Sequence, residues 1–162
     1  MEFYYPNFNN DMWRIFGVIF FGDRDHFVDP PKKCFSKDRI EAFLTERRIA
    51  LYDTAESVIR HKDNASDKNL EVVQATDIVG MIRKLPCLES IVITGQKAMD
   101  TIAEQLAKGN IRIPPPAVGS YVTFTVDDRA IRLYRMPSSS RAYPLALEKK
   151  ADAYKMIFSG AA

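Results

Sequence analysis

The sequence predicts an α/β fold, a layered arrangement in which helices flank a short and mainly parallel sheet. Two short apolar runs, residues 49–52 and Ser90–Thr94, have the pattern of buried parallel strands. Stretches with apolar residues at helical spacing alternate with them, which is typical of α/β layers. The chain has 162 residues, enough for one domain with a core of its own. We therefore expect residues 1–162 to form a single domain.

The amino-terminal part of the chain predicts two helices. Apolar residues at helical spacing indicate a buried helix that begins near Asn10. Residues 22–33 contain paired prolines and predict a surface loop. Ser36 then caps a second helix. The inner face of this second helix is predicted to be Ile40, Phe43 and Leu44.

The remaining elements follow from local signals. Residues 61–69 are polar and predict a loop, and a third helix is predicted from Thr76 or Asp77 to Leu85. After the strand Ser90–Thr94, Gly95 allows the chain to turn directly into a fourth helix, which is predicted to end at Gly109. Residues 121–126 and 130–136 alternate on either side of a two-residue turn and predict a hairpin. A last helix, predicted from Pro144, carries Leu147, Ala151, Tyr154 and Phe158 on one face.

Composition and charge narrow the class of protein. A chain that is 46% hydrophobic and 27% charged is typical of a globular protein rather than a disordered one. No apolar run has the length of a membrane span and no secretion signal is visible, so we expect a cytoplasmic protein without membrane attachment. Cys34 and Cys87 lack ligand-like spacing and are expected to be reduced thiols. The net charge is only +2, but basic residues predominate after Gly109, as a polyanion site requires.

A Ser-rich stretch, residues 136–144, lies between the predicted hairpin and the last helix. We expect a loop of small hydroxyl residues to leave several backbone N–H groups unpaired. The positive end of the helix that follows would point at the same place. Such an arrangement binds anions, most simply phosphate. The alternative, equally open from composition, is an ordinary Ser-rich helix start with Pro at the first helical position.

The amino-terminal segment mixes aromatic rings with amides. Tyr4, Tyr5 and Phe8 offer flat apolar faces, and the neighbouring asparagines offer groups that both donate and accept hydrogen bonds. This mixture is suited to holding an extruded nucleobase. The alternative interpretation is that Asn10 caps the helix that follows and that the aromatic residues are core.

Other chemistries have little support in the sequence. Gly95 has no phosphate-cradling pattern around it, which disfavours nucleotide hydrolysis and dinucleotide binding. His26 and His61 lack supporting Cys or Glu spacing and are interpreted as loop residues. No base partner can be named for a serine nucleophile. We therefore expect no metal and no small-molecule cofactor.

Five segments, taken together and in this order, resemble the uracil-DNA glycosylase superfamily. They are Tyr4-Tyr5 with Asn10 and Trp13, Ile49-Ala50-Leu51-Tyr52-Asp53, Asn64-Ala65-Ser66-Asp67, Ile91-Val92-Ile93-Thr94-Gly95 and Met136-Pro137-Ser138-Ser139-Ser140. The Tyr-Tyr pair before an Asn and a Trp is most similar to the hypoxanthine-DNA glycosylase type. The Met-Pro-Ser-Ser-Ser loop is similar to that of thymine-DNA glycosylases.

The resemblance implies a monofunctional DNA glycosylase of base excision repair. Such an enzyme flips a deaminated base, uracil or hypoxanthine, out of DNA and hydrolyses its N-glycosidic bond. The partner it implies is DNA. For the base side of the site, the candidates are Asn10 for the base or the water, Tyr5 or Phe8 for stacking, and Asp53 at the predicted strand end. For the DNA backbone, the candidates are Ser138, Ser139 and Ser140 on phosphates, and Arg141 or Tyr143 in the vacated space of the duplex.

The chain departs from the family in two places. Family members carry a strand and a glycine- or proline-containing loop before the Tyr-Tyr pair, and here only Met1, Glu2 and Phe3 precede Tyr4. We therefore expect the domain to lack the family's first strand and to be incomplete at its amino terminus. Arg141 also stands one place earlier than the intercalating Arg of the thymine-DNA type.

Two rival hypotheses stay open. One is a catalytically inactive nucleic-acid-binding module of the same fold, and the other is an α/β domain that binds a small phosphate or carboxylate ligand. The glycosylase hypothesis carries its own structural requirement. Asn10 and Ser139 must lie on the same side of the molecule, because one nucleotide has to reach both.

Overall fold

The computed structural model describes residues 1–60 and 70–159. The chain divides into two compact units. The terminal unit comprises Met1–Tyr52 and Pro137–Ala162, and the central unit comprises Asp53–Met136. The loop expected at residues 61–69 lies outside the described residues. Within the described residues, no helix combines the length and apolar character that a bilayer crossing requires.

The secondary-structure elements follow the chain in an order that mixes helices and strands. They are α1 (Met12–Phe21), β1 (Val28–Asp29), a 3-10 turn (Pro30–Lys32), β2 (Cys34–Phe35), α2 (Lys37–Arg47), β3 (Ala55–Arg60), β4 (Leu70–Ala75), α3 (Ile78–Lys84), β5 (Ser90–Thr94), α4 (Gln96–Lys108), β6 (Ser120–Val126), β7 (Arg129–Met136) and α5 (Leu147–Ser159). The α/β class predicted from the sequence is confirmed.

The core of the terminal unit is largely aromatic. Trp13 of α1 is fully buried, and its Nε1 donates a hydrogen bond to the carbonyl of Tyr4. Phe16 on the same helix packs against Phe43 of α2 and Phe158 of α5. The predicted helix near Asn10 and the predicted inner face of α2 are thereby confirmed, since Ile40, Phe43 and Leu44 are all buried.

Residues 22–33 are more ordered than the predicted loop. Part of this segment enters a small antiparallel ribbon in which Val28 pairs with Phe35. Phe27 and Phe35 are both buried, so apolar burial drives the pairing. Gly17 permits the close approach of this segment to α1, because a Cβ there would lie 2.3 Å from the carbonyl oxygen of Asp23.

The central unit contains a sheet with strand order β5-β7-β6 among the described residues. β5 runs parallel to β7 and ends in register with it, Thr94 beside Met136, whereas β6 forms the predicted antiparallel hairpin with β7. Side chains from α3 and α4 join the sheet's inner face in one core. That core contains Ile82, Ile93, Met99, Ile102, Leu106, Phe124, Val126, Ile131 and Leu133. The sheet is therefore mixed, and the prediction of a mainly parallel sheet was wrong in this respect.

The predicted strand at residues 49–52 is also absent from the described structure, and the end of α2 explains why. Arg48 adopts a left-handed backbone conformation (φ 57°), and the N–H of Ile49 donates to the carbonyl of Leu44 at 2.9 Å. These are the bonds of a Schellman motif, which uses an apolar residue after the helix to cover its last turn. The apolar run therefore terminates a helix, and Tyr52 is 61% exposed.

Candidate nucleic-acid interface

The amino-terminal segment and the Ser-rich stretch lie side by side in the terminal unit. Asn10 and Ser140 form an antiparallel β-bridge, and the N–H of Asp11 donates to the carbonyl of Ser139 at 2.8 Å. The two segments are separated by more than a hundred residues in sequence, so neither could be placed by local pattern alone. The requirement that Asn10 and Ser139 share one side of the molecule is met.

A pocket of about 230 Å³ lies where these segments meet. It is lined by Asn7, Asn9, Asn10, Ser140, Arg141 and Ala142. Amide groups and one guanidinium therefore converge on it. The terminal unit also has a larger groove, about 660 Å³, between its first aromatic residues and the end of α2. That groove contains Tyr4 but none of the predicted site residues, so we assign the candidate site to the smaller pocket on chemistry rather than on size.

Arg141 carries the positive charge at the pocket. Its Nη1 donates to Asn9 Oδ1 at 3.2 Å, and its Nε lies 3.6 Å from Asp11 Oδ1. The Arg141 side chain remains 49% exposed. It is held across the pocket by contacts that solvent and salt can loosen.

Asp11 makes a second and buried contact, with Lys150 of α5. The Lys150 Nζ lies 3.0 Å from Asp11 Oδ2 and donates to the carbonyl of Ser140 at 2.8 Å. Lys150 is 1% exposed. Sequence reasoning missed both residues, although Lys150 stands three residues after Leu147 and four before Tyr154, which places it on the apolar face of α5.

Arg14 anchors the amide segment from inside the unit. Its Nη1 donates to the carbonyl of Phe8 at 2.7 Å, and its guanidinium lies over the rings of Phe8 and Phe35 at 4.5 and 5.0 Å. Burial lowers the pKa of Arg14, and the nearby charge of Arg141 lowers it further. Phe8 is thus engaged by a buried cation and a neighbouring ring. The stacking role of Phe8 stays a prediction, and Phe8 is not among the residues that line the pocket described above.

The two amide atoms of Asn10 differ in their contacts. Its Oδ1 accepts the backbone N–H of Met12, the first residue of α1, at 2.9 Å, so Asn10 supports the start of the helix from the position before the N-cap, Asp11. Its Nδ2 has no hydrogen-bond partner among the described residues, and the residue lines the pocket. Tyr5, the other stacking candidate, is half-buried and sets its ring edge-on to Trp13 at 6.1 Å.

The Ser-rich stretch is not the open anion loop that was predicted. Ser139 is 2% exposed, so its hydroxyl cannot reach a phosphate on the surface. The N–H of Ser140 donates to Ser138 Oγ and the N–H of Ala142 donates to Ser140 Oγ, at 3.2 and 3.3 Å. The helix begins at Leu147 rather than at residue 144. Hydroxyls within the stretch therefore satisfy N–H groups that a phosphate was expected to bind.

Two predicted site residues remain to be placed. The N–H of Tyr143 donates to the carbonyl of Ser140 at 3.1 Å, and Tyr143 is half-buried in the same stretch. Asp53 belongs to the central unit, where its carbonyl accepts the Thr76 hydroxyl at 2.7 Å and its side chain is exposed. Asp53 is therefore not part of the contacts that build the pocket.

Among the described residues, no cluster of His, Cys, Asp and Glu side chains is suited to holding a metal ion. Cys34 and Cys87 are free thiols.

No protein-family model, curated protein or solved structure matches the chain.

Proposed function

We propose that the chain is a DNA glycosylase of the uracil-DNA glycosylase superfamily, hydrolysing the N-glycosidic bond of uracil or hypoxanthine flipped out of DNA. The bridge between Asn10 and Ser140 carries this proposal. It joins the amide-bearing segment, which suits a base, to the stretch that carries the exposed Arg141. Two of the five segments of the resemblance, residues 91–95 and 136–140, stand at the ends of the strands β5 and β7, as expected from the sequence.

The pocket's chemistry supports base release. Its volume of about 230 Å³ lies below the range of about 300–1,000 Å³ typical of drug-sized ligands, so it suits one planar group. Negative charge moves onto the base as the glycosidic bond breaks, and an amide donor aimed at that charge lowers the barrier. Asn10 Nδ2 is the donor in this proposal. Arg141 supplies the positive charge for an adjacent phosphate.

The test uses end-labelled duplexes that contain uracil, hypoxanthine or no lesion. Abasic sites are converted to strand breaks with alkali. We expect breaks at one of the two deaminated bases, reduced at least about 100-fold by Asn10→Ala, since one such donor contributes about 10²–10³ in rate. Asp77→Ala is the matched control, because Asp77 makes a comparable helix-start bond, to the N–H of Gly80, in the other unit. Absence of breaks at either base with the wild-type protein would refute the proposal.

A catalytically inactive nucleic-acid-binding module is the second candidate. It is favoured by the engagement of Asn10 Oδ1 at the start of α1, together with an exposed Arg141. This candidate predicts salt-dependent duplex binding with no abasic sites. A protein without duplex affinity at low salt would contradict both candidates and favour a small anionic ligand.

A further inference from the structure

The carboxylate of Asp11 is shared between two cations of different exposure. Lys150 approaches one oxygen at 3.0 Å from the interior, and Arg141 approaches the other at 3.6 Å from the surface. A buried pair is stronger and less screened by salt than an exposed one. Arg141 is therefore the partner that can leave, and Lys150 is the partner that stays.

The balance of charge at the pocket depends on Lys150. The salt bridges here join three cations, Arg14, Arg141 and Lys150, to two carboxylates, Asp11 and Asp25. They therefore contain one cation more than carboxylates, and Arg141 is the exposed cation that lines the pocket. Without the Lys150 charge Asp11 would be left to Arg141 alone and would become its counterion.

We propose that Lys150 is a positioning residue, which neutralises Asp11 from inside the unit and so keeps Arg141 available for a DNA phosphate. This inference rests on the proposed function. The bond of Lys150 to the carbonyl of Ser140 holds the Ser-rich stretch at the same time. The role of Lys150 is indirect, because a residue that is 1% exposed cannot touch DNA.

Lys150→Gln tests the charge while keeping a donor for Ser140. The measurement is the slope of log affinity against log salt for a duplex. We expect the slope to fall by about one unit, as for the loss of one phosphate contact, which corresponds to roughly eightfold weaker binding at 0.1 M salt. Lys149→Gln, which removes the same charge from an exposed neighbour on α5, is expected to leave the slope nearly unchanged.

The decisive variant is Asp11→Asn combined with Lys150→Gln. This pair removes both buried charges and leaves Arg141 without a competing carboxylate, so we expect the wild-type slope to return. A role limited to stability predicts no such return. Failure of the double variant to recover the slope, or an equal loss in Lys149→Gln, would overturn the inference. Circular dichroism checks that each variant is folded.

A second arm separates this inference from the proposed function. Inorganic pyrophosphate is titrated while the Nε–Hε resonance of Arg141 is followed by NMR. A shift in the wild type that is lost in Lys150→Gln and regained in the double variant supports the inference even where no glycosylase activity is found. No response of Arg141 to duplex or pyrophosphate would contradict it.

Discussion

Asn10 is expected to stabilise the fold through Oδ1 and to contribute to catalysis through Nδ2. Two substitutions separate these two effects. Asn10→Ala removes both the Oδ1 acceptor and the Nδ2 donor, whereas Asn10→Asp keeps an acceptor for the N–H of Met12 and lacks the donor. Loss of this half-buried 2.9 Å bond is expected to cost about 1 kcal/mol. For a chain of this size that lowers Tm by about 2–4 °C. Asn10→Asp should keep the wild-type Tm, because an anion is favourable at a helix start.

The catalytic consequence of Asn10 is expected to be the same in both variants. Losing one donor to the departing base should slow base release by about 10²–10³. Single-turnover rates at saturating protein measure this step without the effect of the added charge on DNA affinity. Partial unfolding cannot produce the loss, because about 1 kcal/mol removed from a typical 5–15 kcal/mol leaves the protein folded. Wild-type rates in Asn10→Asp would refute the donor role, and an unchanged Tm in Asn10→Ala would refute the structural one.

Substitutions at three further positions test packing and electrostatics. Tyr154→Phe removes a buried hydroxyl that donates to the carbonyl of Pro137 at 2.6 Å, and should lower the unfolding free energy in urea by about 1–3 kcal/mol. Because burial raises the pKa of Tyr154, wild-type stability should fall as the pH rises above about 10, and less so in the variant. The hydrogen bond from Arg83 lowers the pKa of Asp127 below its ordinary value of 3.8. The ionised Asp127 therefore stabilises the fold above pH 3.8, and this contribution is lost as the pH falls below that value. Arg83→Gln should make the unfolding free energy depend less on pH in this acidic range. Arg129→Ala removes three bonds to carbonyls at the end of α3 and should cost about 1–3 kcal/mol, whereas Arg129→Lys, whose compact ammonium cannot reach all three, should recover only part.

The elements that the sequence predicted correctly are those set by local signals. The β6–β7 hairpin depends on alternation around a turn, and α4 depends on Gly95 and on apolar residues at helical spacing. The run at residues 49–52 failed because periodicity cannot distinguish a buried strand from an apolar segment that covers a helix end. A left-handed residue at the end of a helix is usually a glycine, which the sequence shows. At the end of α2 that residue is Arg48, so the sequence does not reveal that the helix stops there.

The sequence named several residues of the candidate site, but it did not predict the contacts that these residues make. Asn10, Ser140 and Arg141 were named from the sequence, and the structure brings all three to one pocket. Their partners Asp11 and Lys150 were missed, although the spacing of Lys150 from Leu147 and Tyr154 places it on the apolar face of α5. The serine hydroxyls were expected to bind a ligand, but short polar side chains next to backbone N–H groups also compete for them. In this stretch the local bonds prevail.

Both sides of the pocket are fixed by buried cations that donate to backbone carbonyls. Arg14 holds the carbonyl of Phe8 on one side, and Lys150 holds that of Ser140 on the other. A carbonyl bonded in this way does not need solvent, so each segment keeps its position without a ligand. Binding to such a preformed pocket requires little ordering of the protein. If the proposed function holds, substitution of the Asn10 amide should therefore change the chemical step itself, because the pocket it lines is assembled without a ligand.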